Sequence, residues 1–222
     1  MIDPKIESAI EDALSAFSEY NSFDATQLVE AFGEVFESDE DFLTKVDELD
    51  EVFDDNPEIE ILREVFFDLL LINFFSADVK KLEDDYLETP EWESIEEQTL
   101  DRGTELLNLL LYLNECEDEG IEPELEDYLK EFLLVDEDEF QDEYNIYEPV
   151  IANQILIDSP AEEIRNVALQ LPEDSEIKEL FYPMMCFFQN VETSEETEKN
   201  IADNAVNKDF DMAVFSILQA FN

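Results

Sequence analysis

The chain has 222 residues and a mass of 25.9 kDa, with 63 Asp and Glu against 11 Lys and Arg and no His, a net charge of -52. The missing His excludes Ser-His-Asp and Cys-His catalysis and His-ligated zinc or haem, and the charge excludes electrostatic binding to nucleic acid or an anionic membrane. A hydrophobic fraction of 45%, with 18 Phe, is above what acidic disordered chains carry, so a folded core is expected.

Helix signals recur from the N-terminus onward. Asp3-Pro4, Asn56-Pro57, Thr89-Pro90 and Ser159-Pro160 each set a capping side chain before a proline suited to the first helical turn. Ser159 to Glu162 and Thr193 to Glu196 have capping-box spacing. Ile6, Ile10, Ala13, Leu14 and Phe17 share one helical face, as do Leu28, Val29, Phe32, Val35 and Phe36, then Phe42, Val46, Leu49 and Phe53. Apolar residues surround the segment Ile59 to Phe75, which reads as a buried central helix. Residues 78–88 predict a short helix and 90–116 a long one, with Leu106, Leu107, Leu110 and Leu111 facing inward. Trp92, in its first turn, reads as a packing residue at the edge of the core. Pro123 opens a helix reaching about Leu134. An acidic turn then leads to a helix near Tyr147 to Ile157.

Helices over 160–171 and 174–190 follow, the second kinked or interrupted at Pro183. Residues 194–206 are expected to be helical, and Phe210, Ala213, Val214, Ile217, Leu218 and Phe221 mark a final docking face. Strict two-residue alternation is scarce, and no Asn-Gly or Asp-Gly turn occurs. The expected fold is all-α, with about ten to twelve helices in one acidic domain or an irregular helical array. A possible sub-boundary lies near 117–123.

The charge is not a tail. Residues 1–60 carry 20 acids and 2 bases, 61–120 carry 17 and 4, 121–180 carry 19 and 3, and 181–222 carry 7 and 2. The C-terminal part is therefore the expected place for a less charged surface, with a homodimer face as one use of it. The densest acids are Asp39, Glu40 and Asp41; Asp47, Glu48, Asp50, Glu51, Asp54 and Asp55; Glu115, Glu117, Asp118 and Glu119; and Asp136, Glu137, Asp138, Glu139, Asp142 and Glu143. Solubility needs a net charge of only about 2 to 8, and repulsion among so many acids destabilises a compact state. The excess therefore calls for a reason outside the fold.

Carboxylate chemistry leaves no specific signal. Asp136-x-Asp138 opens like a calcium loop, but Gln141 stands where the loop needs Gly. Three scattered glycines form no phosphate-binding loop. Cys116 and Cys186 sit among apolar residues and read as reduced thiols, at least one of them filling core space. No catalytic, metal or cofactor residue is assigned, and no enzyme activity is expected. The first residues lack a signal-peptide pattern, and Val65 to Phe75, the longest apolar stretch, is short of a membrane span. A cytoplasmic location is expected.

Helices with a carboxylate about every fourth residue space negative charge by about 6 Å along the axis, comparable with successive phosphates along one DNA strand. In composition the chain resembles DNA-mimic proteins, among them phage restriction inhibitors and some anti-CRISPR proteins, though it shares no motif with them. The resemblance implies an inhibitor of DNA binding, and the charge map makes the densest acidic clusters the expected contacts with the basic surface of a DNA-binding protein. Two alternatives stand beside it: a specific inhibitor, immunity protein or chaperone of one basic protein, and an ordinary helical domain adapted to high salt, where the Debye length falls to about 3 Å at 1 M.

Overall fold

A computed structural model describes residues 2–21, 23–76, 86, 88–132, 140–191 and 193–222, with backbone only at 131, 132 and 140–143. Within them the chain is helical, and no strand occurs among the described residues. The helices are α1 (Pro4–Tyr20), α2 (Ala25–Glu37), α3 (Phe42–Asp55), α4 (Arg63–Ser76), α5 (Pro90–Thr99), α6 (Leu106–Glu119), α7 (Leu125–Phe132), α8 (Phe140–Ala152), α9 (Ala161–Ala168), α10 (Lys178–Gln189), α11 (Glu195–Asn204) and α12 (Lys208–Phe221). Single 3-10 segments, Pro57–Leu62 and Gln154–Asp158, lead out of α3 and α8. The expected helix over 78–88 lies outside the described residues apart from Tyr86 and Glu88.

Local chemistry explains five starts. The Asp3 side chain accepts from the Lys5 amide, Asp24 from Thr26, Asp41 from Thr44, Thr89 from Trp92 and Ser194 from Thr197. The cap of α11 is thus Ser194, one residue past the expected Thr193. Ser159 does not cap α9, which begins after Pro160 with no side-chain cap bond. Asn56-Pro57 opens a 3-10 turn that runs into α4. At the end of α6, Gly120 takes φ +67°, and Ile121 N donates to Cys116 O at 2.9 Å, closing the helix in a left-handed cap.

The first and last helices pair over their length. Lys5 Nζ donates to Phe221 O at 3.3 Å at one end, and Asn21 Nδ2 donates to Asp209 Oδ2 at 2.9 Å at the other, so α1 and α12 run antiparallel. Besides α1, α12 packs on α6, α10 and α11, while α4 packs on α1, α3 and α6. Phe32, Phe53 and Phe66 close the junction of α2, α3 and α4 with ring centroids 4.5 to 5.7 Å apart. Trp92 is half-buried, its ring 5.4 Å from Phe75, and serves as edge-of-core packing. The low charge of residues 181–222 is that of a core: Leu180 to Phe188 of α10 and most of α12 are buried. Both cysteines are buried and free, and burial pushes the Cys186 thiol up to about 12.

Three expected elements differ. The long helix over 90–116 is two helices, α5 and α6, because Glu64 and Asp68 of α4 capture the amides between them. Gly103 N donates to Glu64 Oε2 at 2.7 Å, and Thr104 donates through its amide and hydroxyl to Asp68. Those donors are lost to a helical ladder. Along α6 the inward residues are Leu106, Leu109, Leu110 and Leu113, with Leu107 and Leu111 half-buried. α8 starts at Phe140, ahead of the expected Tyr147, and ends at Ala152 before a separate 3-10 turn. α10 runs through Pro183 without interruption; the buried, apolar faces on either side hold the helix despite the missing amide.

Gly103 has φ +85°, and a Cβ there would sit 2.7 Å from Asp68 Oδ1. Gly103→Ala is therefore expected to cost about 2 kcal/mol, from left-handed strain plus disturbed buried hydrogen bonds. Urea unfolding followed by Trp92 fluorescence measures it; a change below about 0.5 kcal/mol would show that the turn adapts freely.

Candidate protein-binding surface

The acids singled out in the sequence fall into different environments. On α3 the buried face is Phe42, Val46, Leu49 and Phe53. Asp47, Glu51 and Asp55 are exposed at four-residue spacing along the opposite side, giving an outward carboxylate row with about 6 Å between members. Asp39, Glu40 and Asp41 extend the exposed acids before the helix, although the Asp41 carboxylate also caps it. Glu48 is half-buried.

Asp50 is half-buried and Asp54 exposed, and both are tied into internal ion pairs. Arg63 reaches Asp50 Oδ1 at 2.9 Å, Asp54 Oδ1 at 2.7 Å and Glu60 Oε2 at 2.8 Å. Arg102 reaches Asp50 Oδ2 at 2.9 Å and Glu64 Oε2 at 3.0 Å. Each guanidinium also lies over a phenylalanine ring, Arg63 over Phe53 at 5.3 Å and Arg102 over Phe67 at 4.8 Å. These two arginines clamp α3 to α4 and to the turn after α5. Hydrogen bonds donated to the flanking carboxylates hold both guanidinium pKa values above their ordinary range against the opposing effect of burial.

Glu115, Glu117, Asp118 and Glu119 are exposed in the last turns of α6, and Glu117 pairs with Lys5 at 2.5 Å. Asp136, Glu137, Asp138 and Glu139 lie outside the described residues, as do the side chains of Asp142 and Glu143.

Helix ends carry the clearest electrostatic signature. The C-terminal end of a helix favours cations and disfavours carboxylates by about 0.3 to 1 kcal/mol each. Here α1, α2, α3, α6 and α11 have no base in the last turn. Instead they end on acids such as Glu19, Glu37, Asp55 and Asp118, with Asp203 of α11 paired to Lys208. These acids oppose the local dipole and so do not arise from helix stability. Bases, meanwhile, are spent internally: Lys130 pairs with Glu126 and Asp127, Lys178 with Glu173, and Lys208 with Asp203, besides Lys5, Arg63 and Arg102.

Three sites escaped sequence reasoning. Asp68 is fully buried on α4, where burial pushes its carboxyl well above the ordinary range against the pull of Thr104. Asp211 is buried on α12, and burial raises it to about 7 despite backbone donors. Tyr147 donates to Glu105 Oε2 at 2.5 Å and shares a 3.1 Å hydroxyl contact with Tyr128. An acid inside an otherwise apolar run, as at Asp68 and Asp211, was the available signal. Among the described residues no group of His, Cys, Asp and Glu is arranged to hold a metal ion, and no helix is long and apolar enough to cross a membrane. No family model, no curated protein and no solved structure matches the chain.

Proposed function

We propose that the chain is a DNA mimic: its acidic surface occupies the basic DNA-binding face of another protein and blocks access of DNA. The observation that carries this reading is the exposed row Asp47, Glu51 and Asp55, set at near-phosphate spacing on a helix whose other side is core. Its neighbours Asp39 and Glu40 are exposed too, and the nearby Lys45 donates to Phe36 O at 2.9 Å. Acids at helix ends that weaken the fold support a selection for surface charge itself. In this reading many carboxylates act together, each contributing little, and the chain acts by binding, without catalysis, from the cytoplasm.

The test is capture of partners from nuclease-treated lysate at about 0.1 M salt, where the Debye length is about 10 Å, followed by elution with duplex DNA. A DNA-binding protein released by duplex DNA is the expected result. With that protein, the combined change Asp47→Lys, Glu51→Lys and Asp55→Lys is expected to weaken competition at least tenfold, and single reversals by only a few fold. Affinity should also fall steeply as salt rises. Binding that DNA cannot displace, or that is indifferent to salt, would overturn mimicry in favour of a specific inhibitor.

A further inference from the structure

Apart from the acidic exterior, the described residues form a small cavity whose chemistry is asymmetric. It lies between α9, α10 and the start of α12 and measures about 300 Å³, the lower end of the size range of small-molecule sites. Its sides are apolar: Leu169 and Val206 stand at the mouth, 55% and 41% exposed, and Tyr182 and Phe210 line the interior. Neither mouth residue packs into the core, so both leave apolar surface open to solvent.

Asp211 lines the same cavity and is only 2% exposed. Its Oδ2 is used twice, accepting from Val206 N at 2.7 Å and Asn207 N at 2.9 Å. Its Oδ1 receives no donor from the described residues and is not one of the buried side-chain atoms left without a partner, so it stays open to solvent. The other charged lining residues are Glu173, Lys178 and Glu179. Lys178 Nζ lies 2.6 Å from Glu173 Oε1, so this pair neutralises itself. Glu179 and Asp211 set the remaining sign of the cavity, which is negative.

We infer that this cavity takes an alkylammonium group, the side chain of a lysine on the basic partner, with its methylenes against Leu169, Val206 and Phe210 and its ammonium at Asp211 Oδ1. The preference for lysine over arginine follows from the carboxylate. A guanidinium is held best by both oxygens at once, whereas an ammonium is a point charge that one free oxygen satisfies. Because Oδ2 is committed to the backbone, the site offers one oxygen only. An apolar channel ending in a single carboxylate also suits a long side chain with a charged tip. The assignment of the occupant to a partner lysine rests on the proposed binding of a basic protein; the chemistry of the cavity does not.

The test separates the two. The full chain, labelled at Leu and Val methyl groups, is titrated with n-butylammonium chloride at constant ionic strength, with n-butanol and tetramethylammonium chloride as controls. Saturable shifts confined to the methyls of Leu169 and Val206 are expected, absent with either control. Asp211→Asn should weaken binding at least tenfold while keeping an acceptor oxygen for the Val206 and Asn207 amides. Should that variant fail to fold, Leu169→Asn, at an exposed position, should weaken it at least threefold. Shifts spread over the acidic helices without saturation, or equal response to butanol, would overturn the cavity and leave DNA mimicry standing. Saturable binding of butylammonium together with failure to compete with DNA would keep the cavity and overturn mimicry.

Discussion

Arg102→Met is expected to destabilise the fold by about 3 kcal/mol, a value at the lower end for breaking a buried ion pair because its partners retain some solvent. The side chain is 18% exposed, and it lies between Asp50 and Glu64, whose side chains are 32% and 38% exposed. Removing it leaves Glu64 without its cation and Asp50 held by Arg63 alone, in a chain with 63 Asp and Glu. The Phe67 ring loses its cation as well. Arg102→Lys should recover only part of the loss, because an ammonium cannot fork to two carboxylates. Pairing Arg102→Met with Glu64→Gln should restore more, since the uncompensated charge goes with it. Urea unfolding at 0.1 M salt measures these differences, and at 1 M salt the deficit of Arg102→Met should shrink. A loss below 1 kcal/mol, unchanged by salt, would show that the clamp contributes nothing beyond surface pairing.

The same clamp shows where sequence reading loses resolution. Asp50 and Asp54 belong, by composition, to the run that also contains Asp47, Glu51 and Asp55. Period explains their separation. Positions 47, 51 and 55 follow one side of α3, while 50 and 54 lie one step round the helix, where Arg63 reaches both and Arg102 reaches Asp50. The amphipathic pattern of α3 was legible because Phe42, Val46, Leu49 and Phe53 repeat at helical spacing. The ion cluster was not, because Arg102 comes from 52 residues along the chain. Long-range electrostatic partners leave no local period.

Helix boundaries follow a similar division. Asp3, Asp41 and Thr89 cap from within two or three residues, so their starts are readable. The break between α5 and α6 is imposed from α4, where Asp68 and Glu64 bind the amides of the turn. Gly103 was the one local hint, and its φ of +85° has meaning only with Asp68 beside it. Pro183 shows the converse: a strong local breaker is overridden by a helix whose every residue from Leu180 to Phe188 is buried. The C-terminal fall in charge likewise reflects the buried helices α10 and α12. Charge density could be read from sequence, but its burial could not.

Asp211 makes a large pH effect expected of a single side chain in this structure. In the folded chain its carboxyl is pushed up to about 7, chiefly by burial and further by Asp209 and Glu179, while an unfolded aspartate titrates near 3.9. Between those values the folded state holds a proton that the unfolded state has released. The free energy of unfolding therefore falls as pH rises through that window. Three pKa units correspond to about 4 kcal/mol. That contribution is present below about pH 4 and lost above about pH 7. Asp68, also raised by burial, acts with the same sign. Asp211→Asn cannot ionise and keeps an acceptor oxygen for the amides of Val206 and Asn207. Its stability relative to the parent chain should therefore rise between pH 5 and pH 8, by a large part of that amount. Repulsion among the surface acids changes over the same range but is common to both chains, so the difference isolates Asp211. Urea unfolding at pH 5, 6, 7 and 8 provides the measurement, and a difference that stays flat across the series would show that Asp211 is ionised throughout.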